Sequence, residues 1–319
     1  MKNFALIGAS GYVAPRHMSA INKTNNNLIA AFDPYDGIGV IDKYFPEANY
    51  FKEFERFDRF IDKWRYSENP IHYISITSPN YLHDAHIRFA LKSNCNVICE
   101  KPLVLNPHNI DQLQLIEKET GKKINTILQL RLHPSIIKLK EKILKELSQN
   151  PKKIFEIDLT YLTSRGEWYF ISWKGDQSKS GGIATNIGIH FFDMLIWIFG
   201  PIKSSIVHVK NKDTNAGILK FKNAKVRWFL SINSRYLPKK LKIENKTTFR
   251  SIKISNKEIE FSTGFKDLHL ESYKNILKGN GFGINESYQS IQTVSLIRNQ
   301  KITELKEDYH PYIKKINLK

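Results

Sequence analysis

The sequence has little cysteine and no long hydrophobic segment. Only Cys95 and Cys99 are cysteines, too few and too close together for a disulfide framework. They are expected to be reduced residues on a buried strand, and no cysteine–histidine cluster suggests a metal site. No run of about 18 apolar residues occurs, so we expect no membrane span and a cytoplasmic protein.

The chain also lacks an arginine block or a regular basic face, although its formal net charge is +18. Its lysines are scattered among Asn and Ile residues, which favours a solvated basic surface. Attraction of small anionic substrates is the alternative interpretation. Nucleic-acid binding would be steeply salt-dependent, but no recognition motif supports it, and we expect no nucleic-acid partner.

The first part of the chain alternates apolar runs with helical patterns. "NFALIG", "NLIAAFD", "IHYISITSPN" and "CNVICEKP" read as strands, and the segments between them, such as the one from about Ala14 to Lys23, read as helices. Strands separated by helices indicate right-handed βαβ crossovers and a doubly wound parallel sheet. We therefore predict an α/β Rossmann domain over residues 1–125.

The second part of the chain has a different pattern. "KIFEIDLTYL", "SIVHVK", "AGILKFK" and "KVRWFLSI" alternate and are joined by short turns, which is typical of an antiparallel sheet with one covered face. Helical patterns precede and follow these strands. Residues 126–319 are therefore predicted to form an α/β domain with a largely antiparallel open sheet.

A glycine turn follows the first strand directly. Gly8, Gly11 and Ala14 form a G-x-x-G-x-x-A pattern, in which the glycines permit close backbone approach to a pyrophosphate at the helix N-terminus. Asp33, at the end of the second strand, is expected to bind the adenosine ribose hydroxyls and to favour NAD over NADP. A turn aspartate before Pro34 is the alternative. The other predicted cofactor-binding residues of this turn are Ser10, Tyr12 and Val13.

Two polar clusters stand at later strand ends, in "TSPNYLH" and "CEKPL". Ligands of open parallel sheets bind outside the carboxyl ends of the strands. We therefore predict that these clusters contact the cofactor, although an exposed Glu–Lys pair at a loop entry would look the same. The residues concerned are Ser78, Asn80, His83, Glu100 and Lys101.

The stretch "ATNIGIHFFD" reads as a helix with a glycine in its interior. Asn186 and His190 are four residues apart and lie on one helix face. Gly188 between them costs roughly 1 kcal/mol relative to alanine, so a compensating role is expected. Asp193 follows His190 by one turn, and it either orients His190 or belongs to a packing network.

Five motifs together, the glycine turn, "SPNYLH", "EKPL", "WKGDQSKSGG" and "NIGIHFFD", resemble the Gfo/Idh/MocA family of NAD(P)-dependent oxidoreductases. The resemblance implies a Rossmann domain followed by an α/β domain that binds substrate and often forms an oligomer, here a dimer or tetramer. It also implies that Lys101, Asn186 and His190 flank the nicotinamide, and that Gly188 lets cofactor and substrate approach the helix. A non-catalytic NAD-sensing regulator is a rival interpretation, against which the presence of both Lys101 and His190 speaks.

Most of the family has aspartate where this chain has Asn186. An amide cannot take a proton, so the base is His190, with an ordinary pKa near 6.5, or Lys101, with a pKa lowered by burial beside the cationic ring. We favour His190 as the base, with Lys101 holding and polarising the hydroxyl. The predicted catalytic residues are thus Lys101, Asn186 and His190.

Asn186 and the stretch "LTSRGEWYFISWKGD" resemble a subgroup of bacterial dehydrogenases. Those enzymes oxidise the C3 hydroxyl of UDP-N-acetylglucosaminuronic acid during synthesis of surface polysaccharide such as O-antigen, and some reoxidise their NADH with 2-oxoglutarate. Another sugar or cyclitol is the alternative substrate. Besides the three catalytic residues, the predicted substrate-binding residues are Arg165 and Lys174 for anionic groups, Tyr169 and Trp173 for a ring, and Gln129 and Arg131 at the end of the strand that enters the second domain. Packing of a loop is the alternative role of the four side chains named first.

Overall fold

The chain forms two compact units in the computed structural model, which describes residues 1–254, 257–262, 264–265, 267–305 and 308–316. The first unit comprises Met1–Gln129 and Asp267–Tyr288, and the second comprises Leu130–Lys266 and Gln289–Lys319. The second predicted domain comprises all of residues 126–319. In the structure the segment Asp267–Tyr288 belongs instead to the first unit.

The first unit contains a six-stranded sheet in which every neighbouring pair is parallel. Its order, β3-β2-β1-β4-β5-β6, is that of a doubly wound fold and confirms the predicted Rossmann architecture. The strands are β1 (Asn3–Ile7), β2 (Asn27–Phe32), β3 (Asn49–Phe51), β4 (Ile71–Ile76), β5 (Asn96–Cys99) and β6 (Ile124–Thr126). The helices are α1 (Ala14–Lys23), α2 (Ile38–Tyr44), α3 (Phe54–Arg65), α4 (His83–Lys92) and α5 (His108–Thr120).

The first unit is completed by a helix from late in the chain. The helix α11 (Leu268–Leu277) packs against α1. Tyr273 and Ile276 of this helix are buried in one core cluster with Phe4 of β1 and Met18 of α1. The polar pattern of α11 gave no sign of this placement, because only the tertiary structure brings residues about 250 positions apart together.

The second unit is built on a six-stranded sheet of order β12-β11-β7-β10-β9-β8. All its pairs are antiparallel except β7 with β10, so the predicted, largely antiparallel sheet is confirmed. The strands are β7 (Phe155–Thr163), β8 (Ser204–Lys210), β9 (Thr214–Lys220), β10 (Ala224–Ser231), β11 (Thr248–Ile254) and β12 (Lys257–Glu260). The helices are α6 (Pro134–Gln149), α7 (Trp168–Ile171), α8 (Gln177–Ser180), α9 (Ile189–Phe199) and α10 (Lys239–Ile243), and α12 (Ile284–Asn299) begins in the first unit and ends in the second.

One helical stretch, Gln177–Phe199, is long and apolar enough to cross a membrane by length and composition alone. However, 83% of its most apolar window is buried inside the protein. Most of its apolar side chains are buried, and those of Phe192 and Met194 are fully buried in the core of the second unit. Burial in a protein core accounts for the apolar composition of this helix.

His310 is a buried histidine that makes the second unit sensitive to acid. Its ring stacks on Phe229, its Nδ1 accepts the backbone N–H of Tyr312 at 3.1 Å, and its Nε2 lies 3.2 Å from the hydroxyl of Thr160. Burial, and then the nearby cationic Arg227, lower the pKa of His310 to about 3. In the unfolded chain the imidazole of His310 binds a proton near pH 6.5. The contribution of neutral His310 to the free energy of unfolding is therefore complete above that pH and is lost as the pH falls towards 3.

We expect the free energy of unfolding to fall by about 2 kcal/mol between pH 7 and pH 5 on account of His310. His310→Gln retains an amide that can accept and donate, but it cannot titrate, and it should remove this part of the pH dependence. Urea unfolding of both proteins at the two pH values measures the difference. His108→Gln, at an exposed position, is the matched control; an unchanged pH dependence in His310→Gln would contradict the assignment.

Candidate active site

The glycine turn after β1 forms a close-packed cradle. Gly8 has a φ of +90°, and a Cβ on it would lie 2.5 Å from the backbone nitrogen of Ser78. A Cβ on Gly11 would lie 3.1 Å from the carbonyl oxygen of Gly8 and 3.3 Å from that of Thr77. The turn therefore needs glycine at position 8 and is tightly packed at position 11, as expected of a backbone that approaches a bound group closely.

Asp33 lies directly after β2 and is buried. Its Oδ2 accepts the backbone N–H of Ser10 at 2.9 Å, and its Oδ1 accepts that of Tyr35 at 3.0 Å. The carboxylate thus holds the glycine turn and caps its own turn, which is the alternative role considered for it. A carboxylate oxygen has two lone pairs, so these bonds are compatible with the predicted ribose contact.

The loops after β4 and β5 are joined by His83. Its Nδ1 lies 2.7 Å from the carbonyl oxygen of Pro102, and its Nε2 lies 2.9 Å from that of Ser78. Burial lowers the pKa of His83, although the two carbonyl contacts oppose this shift. The ring thereby ties together the two polar clusters in which Asn80, also buried, and Lys101, half-buried, were predicted to contact the cofactor.

Glu100, at the end of β5, belongs to a buried cluster that the sequence analysis did not identify. Its Oε1 lies 3.1 Å from Nε2 of His17 and 2.8 Å from Nε2 of His269. The three atoms lie within 4.8 Å of one another, a spacing that could also hold a metal ion. His17 ends the stretch "IGASGYVAPRH" of the glycine turn, and His269 lies in "GFKDLHLESY", which also resembles the dehydrogenase subgroup, but neither histidine was itself predicted as a site residue.

The stretch "ATNIGIHFFD" forms a π-helical turn, Ala184–Gly188, that leads into α9. π-Helical turns are rare in proteins, but those that occur are often found at functional sites. Gly188 has a different role from the expected one: a Cβ on it would lie 2.6 Å from Cδ1 of Leu230 in β10 and 2.9 Å from Cε2 of Phe192. Its missing side chain lets the helix pack closely on the sheet, so this glycine accommodates the core of the unit.

Gly188→Ala is expected to lower the free energy of unfolding by about 1 kcal/mol, because overpacking costs about 1–3 kcal/mol and exceeds the gain in helix propensity. Thermal or urea unfolding measures the change. The matched control is Gly39→Ala in α2, where a Cβ meets nothing within 4 Å, and a gain of about 0.5 kcal/mol is expected. Unchanged stability in Gly188→Ala, together with weaker cofactor binding, would instead support the original interpretation.

Asn186 is buried, and its side-chain nitrogen donates to Oη of Tyr169 at 2.8 Å. Burial raises the pKa of Tyr169, so its phenol stays protonated. The second unit thus brings together two residues that were predicted separately, Asn186 for catalysis and Tyr169 for substrate binding. His190, on the first turn of α9, is half-buried.

Arg131 and Asp193 form a buried two-pronged ion pair. Nε of Arg131 lies 2.9 Å from Oδ2 of Asp193, and Nη2 lies 2.7 Å from Oδ1. This pair supplies the packing network considered for Asp193, and it commits at least two guanidinium donors of Arg131 to protein rather than to substrate.

The other predicted substrate residues lie at several levels of exposure. Arg165 is exposed, and Lys174 lies over the ring of Trp173, with its Nζ 4.6 Å from the ring centre. Oε1 of Gln129 is buried without a hydrogen-bond partner among the described residues. A buried acceptor without a partner is costly, so Gln129 is a reasonable position for a ligand donor.

Two family models match the chain in consecutive segments. Residues 2–127 match an oxidoreductase family model for an NAD-binding Rossmann fold, and residues 151–244 match the C-terminal α/β domain of the same family. The chain belongs to the Gfo/Idh/MocA oxidoreductase family. The resemblance inferred from the five motifs is thereby confirmed, as are the predicted enzyme class and the NAD-binding domain.

A solved member of the Gfo/Idh/MocA family has high similarity over the full length. The WlbA (WbpB) dehydrogenase of Thermus thermophilus is 45% identical to this chain, and the two structures superpose with a TM-score of 0.93 over 98% of this chain and 100% of that one. One crystal structure of that enzyme contains NAD and alpha-ketoglutarate, and another contains NAD and UDP-GlcNAcA. The WlbA dehydrogenase of Bordetella pertussis is 17% identical, with a TM-score of 0.76, over 96% of this chain and 98% of that one, and shows a shared fold only.

Curated members of the Gfo/Idh/MocA family are more distant. The glucose-6-phosphate 3-dehydrogenase of Bacillus subtilis is 27% identical over 62% of this chain and 54% of its own length. The D-glucoside 3-dehydrogenase of Escherichia coli is 24% identical over 42% of this chain and 38% of its own length. This chain thus spans about half or less of the curated relatives that it matches.

Proposed function

We propose that this protein oxidises the C3 hydroxyl of UDP-N-acetylglucosaminuronic acid to a ketone, with NAD as the hydride acceptor. The observation that carries the proposal is the 45% identity, over 98% of the chain, to a dehydrogenase crystallised with NAD and UDP-GlcNAcA. At that identity the fold and the shape of the site are expected to be shared. Two distant relatives that act at C3 of a glucose unit are consistent with the same position of attack.

The residues of the first unit fit NAD. Gly8 and Gly11 leave open the space that a Cβ would fill. This space lies just before the start of α1, where backbone N–H groups favour the binding of a pyrophosphate. Asp33 holds this turn and is proposed to bind the ribose. When bound, NAD supplies the hydride acceptor, while the protein supplies orientation and the base.

The proposed proton acceptor is His190. Asn186, whose side-chain nitrogen donates to Tyr169, is proposed to help position the substrate hydroxyl but cannot take its proton. On the family resemblance, Lys101 is proposed to hold the substrate hydroxyl and to polarise its O–H bond. In the reaction the C3–H bond breaks with its electron pair going to NAD, the hydroxyl proton goes to His190, and the C=O bond forms.

We further propose 2-oxoglutarate as the second substrate, because the same Thermus enzyme was crystallised with alpha-ketoglutarate. Its reduction to 2-hydroxyglutarate would take up the hydride and a proton and regenerate the cofactor. Action in the cytoplasm, assembly into a homo-oligomer (dimer or tetramer) and a place in the synthesis of surface polysaccharide such as O-antigen are also proposed, on the resemblance alone.

The test is a substrate panel. The purified protein is mixed with UDP-sugars and UDP-uronic acids, with and without 2-oxoglutarate, and the products are analysed by mass spectrometry. We expect a product lighter by two hydrogens from UDP-N-acetylglucosaminuronic acid, and 2-hydroxyglutarate in equal amount. Product from a neutral UDP-sugar but none from the uronic acid would refute the proposed substrate and favour another sugar.

A further inference from the structure

Three elements of the first unit converge on one buried carboxylate. Glu100 stands at the end of β5, His17 on α1 and His269 on α11, and all three are at least nine-tenths buried. Both imidazole Nε2 atoms contact the same oxygen, Oε1 of Glu100, at 3.1 and 2.8 Å. Two donors from different helices on one oxygen fix a carboxylate in place.

A chain of hydrogen bonds extends this cluster to β4. Nδ1 of His17 lies 2.8 Å from Oη of Tyr273, which lies 2.7 Å from Oγ of Ser75. Burial raises the pKa of Tyr273 and lowers that of His17, so the phenol is protonated and the imidazole is neutral. Each group can therefore donate to the next one: the Ser75 hydroxyl to Tyr273, the Tyr273 hydroxyl to Nδ1 of His17, and Nε2–H of His17 to Glu100.

Glu100 is the ionised end of this chain. Its burial alone would raise the pKa of the carboxyl, but the hydrogen bonds from His17 and His269 hold it well below its usual range. The second carboxylate oxygen, Oε2, accepts the backbone N–H of Lys101 at 3.3 Å. The carboxylate thus connects two imidazoles on one side with the backbone of Lys101 on the other.

We propose that His17 and His269 are positioning residues for Lys101, acting through the fixed carboxylate of Glu100. This inference rests on the proposed function, in which Lys101 holds the reacting hydroxyl. His269 lies outside both matched segments, 2–127 and 151–244, so the returning segment Asp267–Tyr288 supplies a part of the site that neither family model covers. A displacement of about 1 Å at a reacting group can cost about 100-fold in rate.

The test compares two substitutions at one position. His269→Leu removes the donor to Glu100, whereas His269→Gln keeps an N–H donor at similar reach. We expect kcat to fall by about 30-fold in the leucine variant and by less than 5-fold in the glutamine variant. In both variants the KM for each substrate and the affinity for NAD should stay within about 3-fold of the values of the unsubstituted protein. His72→Leu, a histidine substitution in β4 of the same unit, is the control and should leave kcat unchanged.

A purely structural role would lower the melting temperature of His269→Leu without lowering kcat per folded protein, and that result would overturn the inference. So would equal losses of kcat in the leucine and glutamine variants, or a stoichiometric metal ion found by mass spectrometry, which would make the cluster a metal site.

A double-mutant cycle separates this inference from the proposed function. If His269 acts through Lys101, His269→Leu should change the residual rate of Lys101→Met by less than 2-fold, because the positioned group is already gone. A full 30-fold loss in that background would show that His269 acts elsewhere and would overturn the inference. Normal turnover in Lys101→Met alone would instead contradict the proposed role of Lys101.

Discussion

Replacement of His190 by asparagine is expected to lower kcat for oxidation of UDP-N-acetylglucosaminuronic acid by about 100- to 10,000-fold. An amide of similar size can still accept a hydrogen bond, but it cannot take the hydroxyl proton. Lys101→Met should cause a loss of the same order, since the hydroxyl then has no cationic donor. Both variants should bind NAD with nearly unchanged affinity, which isothermal titration calorimetry measures alongside steady-state turnover.

The pH dependence distinguishes the two candidate bases. A base must be unprotonated to act, so kcat should decline with slope one as the pH falls through the pKa of the base. Lys101→Arg should keep this acidic limb, whereas His190→Asn should lose it. Lys92→Met, at an exposed position of α4, controls for the loss of a lysine. Near-normal turnover in His190→Asn would transfer the role of base to Lys101.

Local patterns predicted most of the first unit because its signals lie within short segments. The helix predicted from about Ala14 to Lys23 is α1, and Gly8 has the positive φ that the turn required. The three-residue strand β3 gave no such signal, because a segment that short carries no periodicity. The parallel pairing of β7 with β10 depends on the path of the chain between the two strands. The alternation of apolar and polar residues within a strand does not predict the direction of its neighbour.

The sequence allowed candidate site residues to be proposed only where they stand in a recognisable motif. Asn186 and His190 were identified by their spacing on one helix, and Lys101 by its place at a strand end. Two buried contacts were not predicted, because each joins distant parts of the chain: Glu100 contacts His269, and Asp193 pairs with Arg131. Gly188 was recognised as costly, but the identity of its neighbour, Leu230, required the packed structure.

The pair formed by Arg131 and Asp193 carries the second large expected effect. Only 7% and 3% of their side chains are exposed, and the pair is two-pronged, with both bonds below 3.0 Å. Removing one partner of a buried pair leaves a charge without compensation and typically costs 3–5 kcal/mol. Asp193→Asn is therefore expected to lower the free energy of unfolding by about 3 kcal/mol, as measured by urea unfolding.

A double variant tests whether the lost charge balance is the cause. Arg131→Met with Asp193→Leu removes both charges, and since a buried pair can often be replaced by apolar residues without loss, it should be more stable than Asp193→Asn alone. Glu271→Gln, which breaks an exposed pair with Lys274, should have little effect. If the double variant lost as much stability as the two single variants combined, the residues would act independently. That result would contradict the assignment of the loss in Asp193→Asn to an uncompensated buried charge.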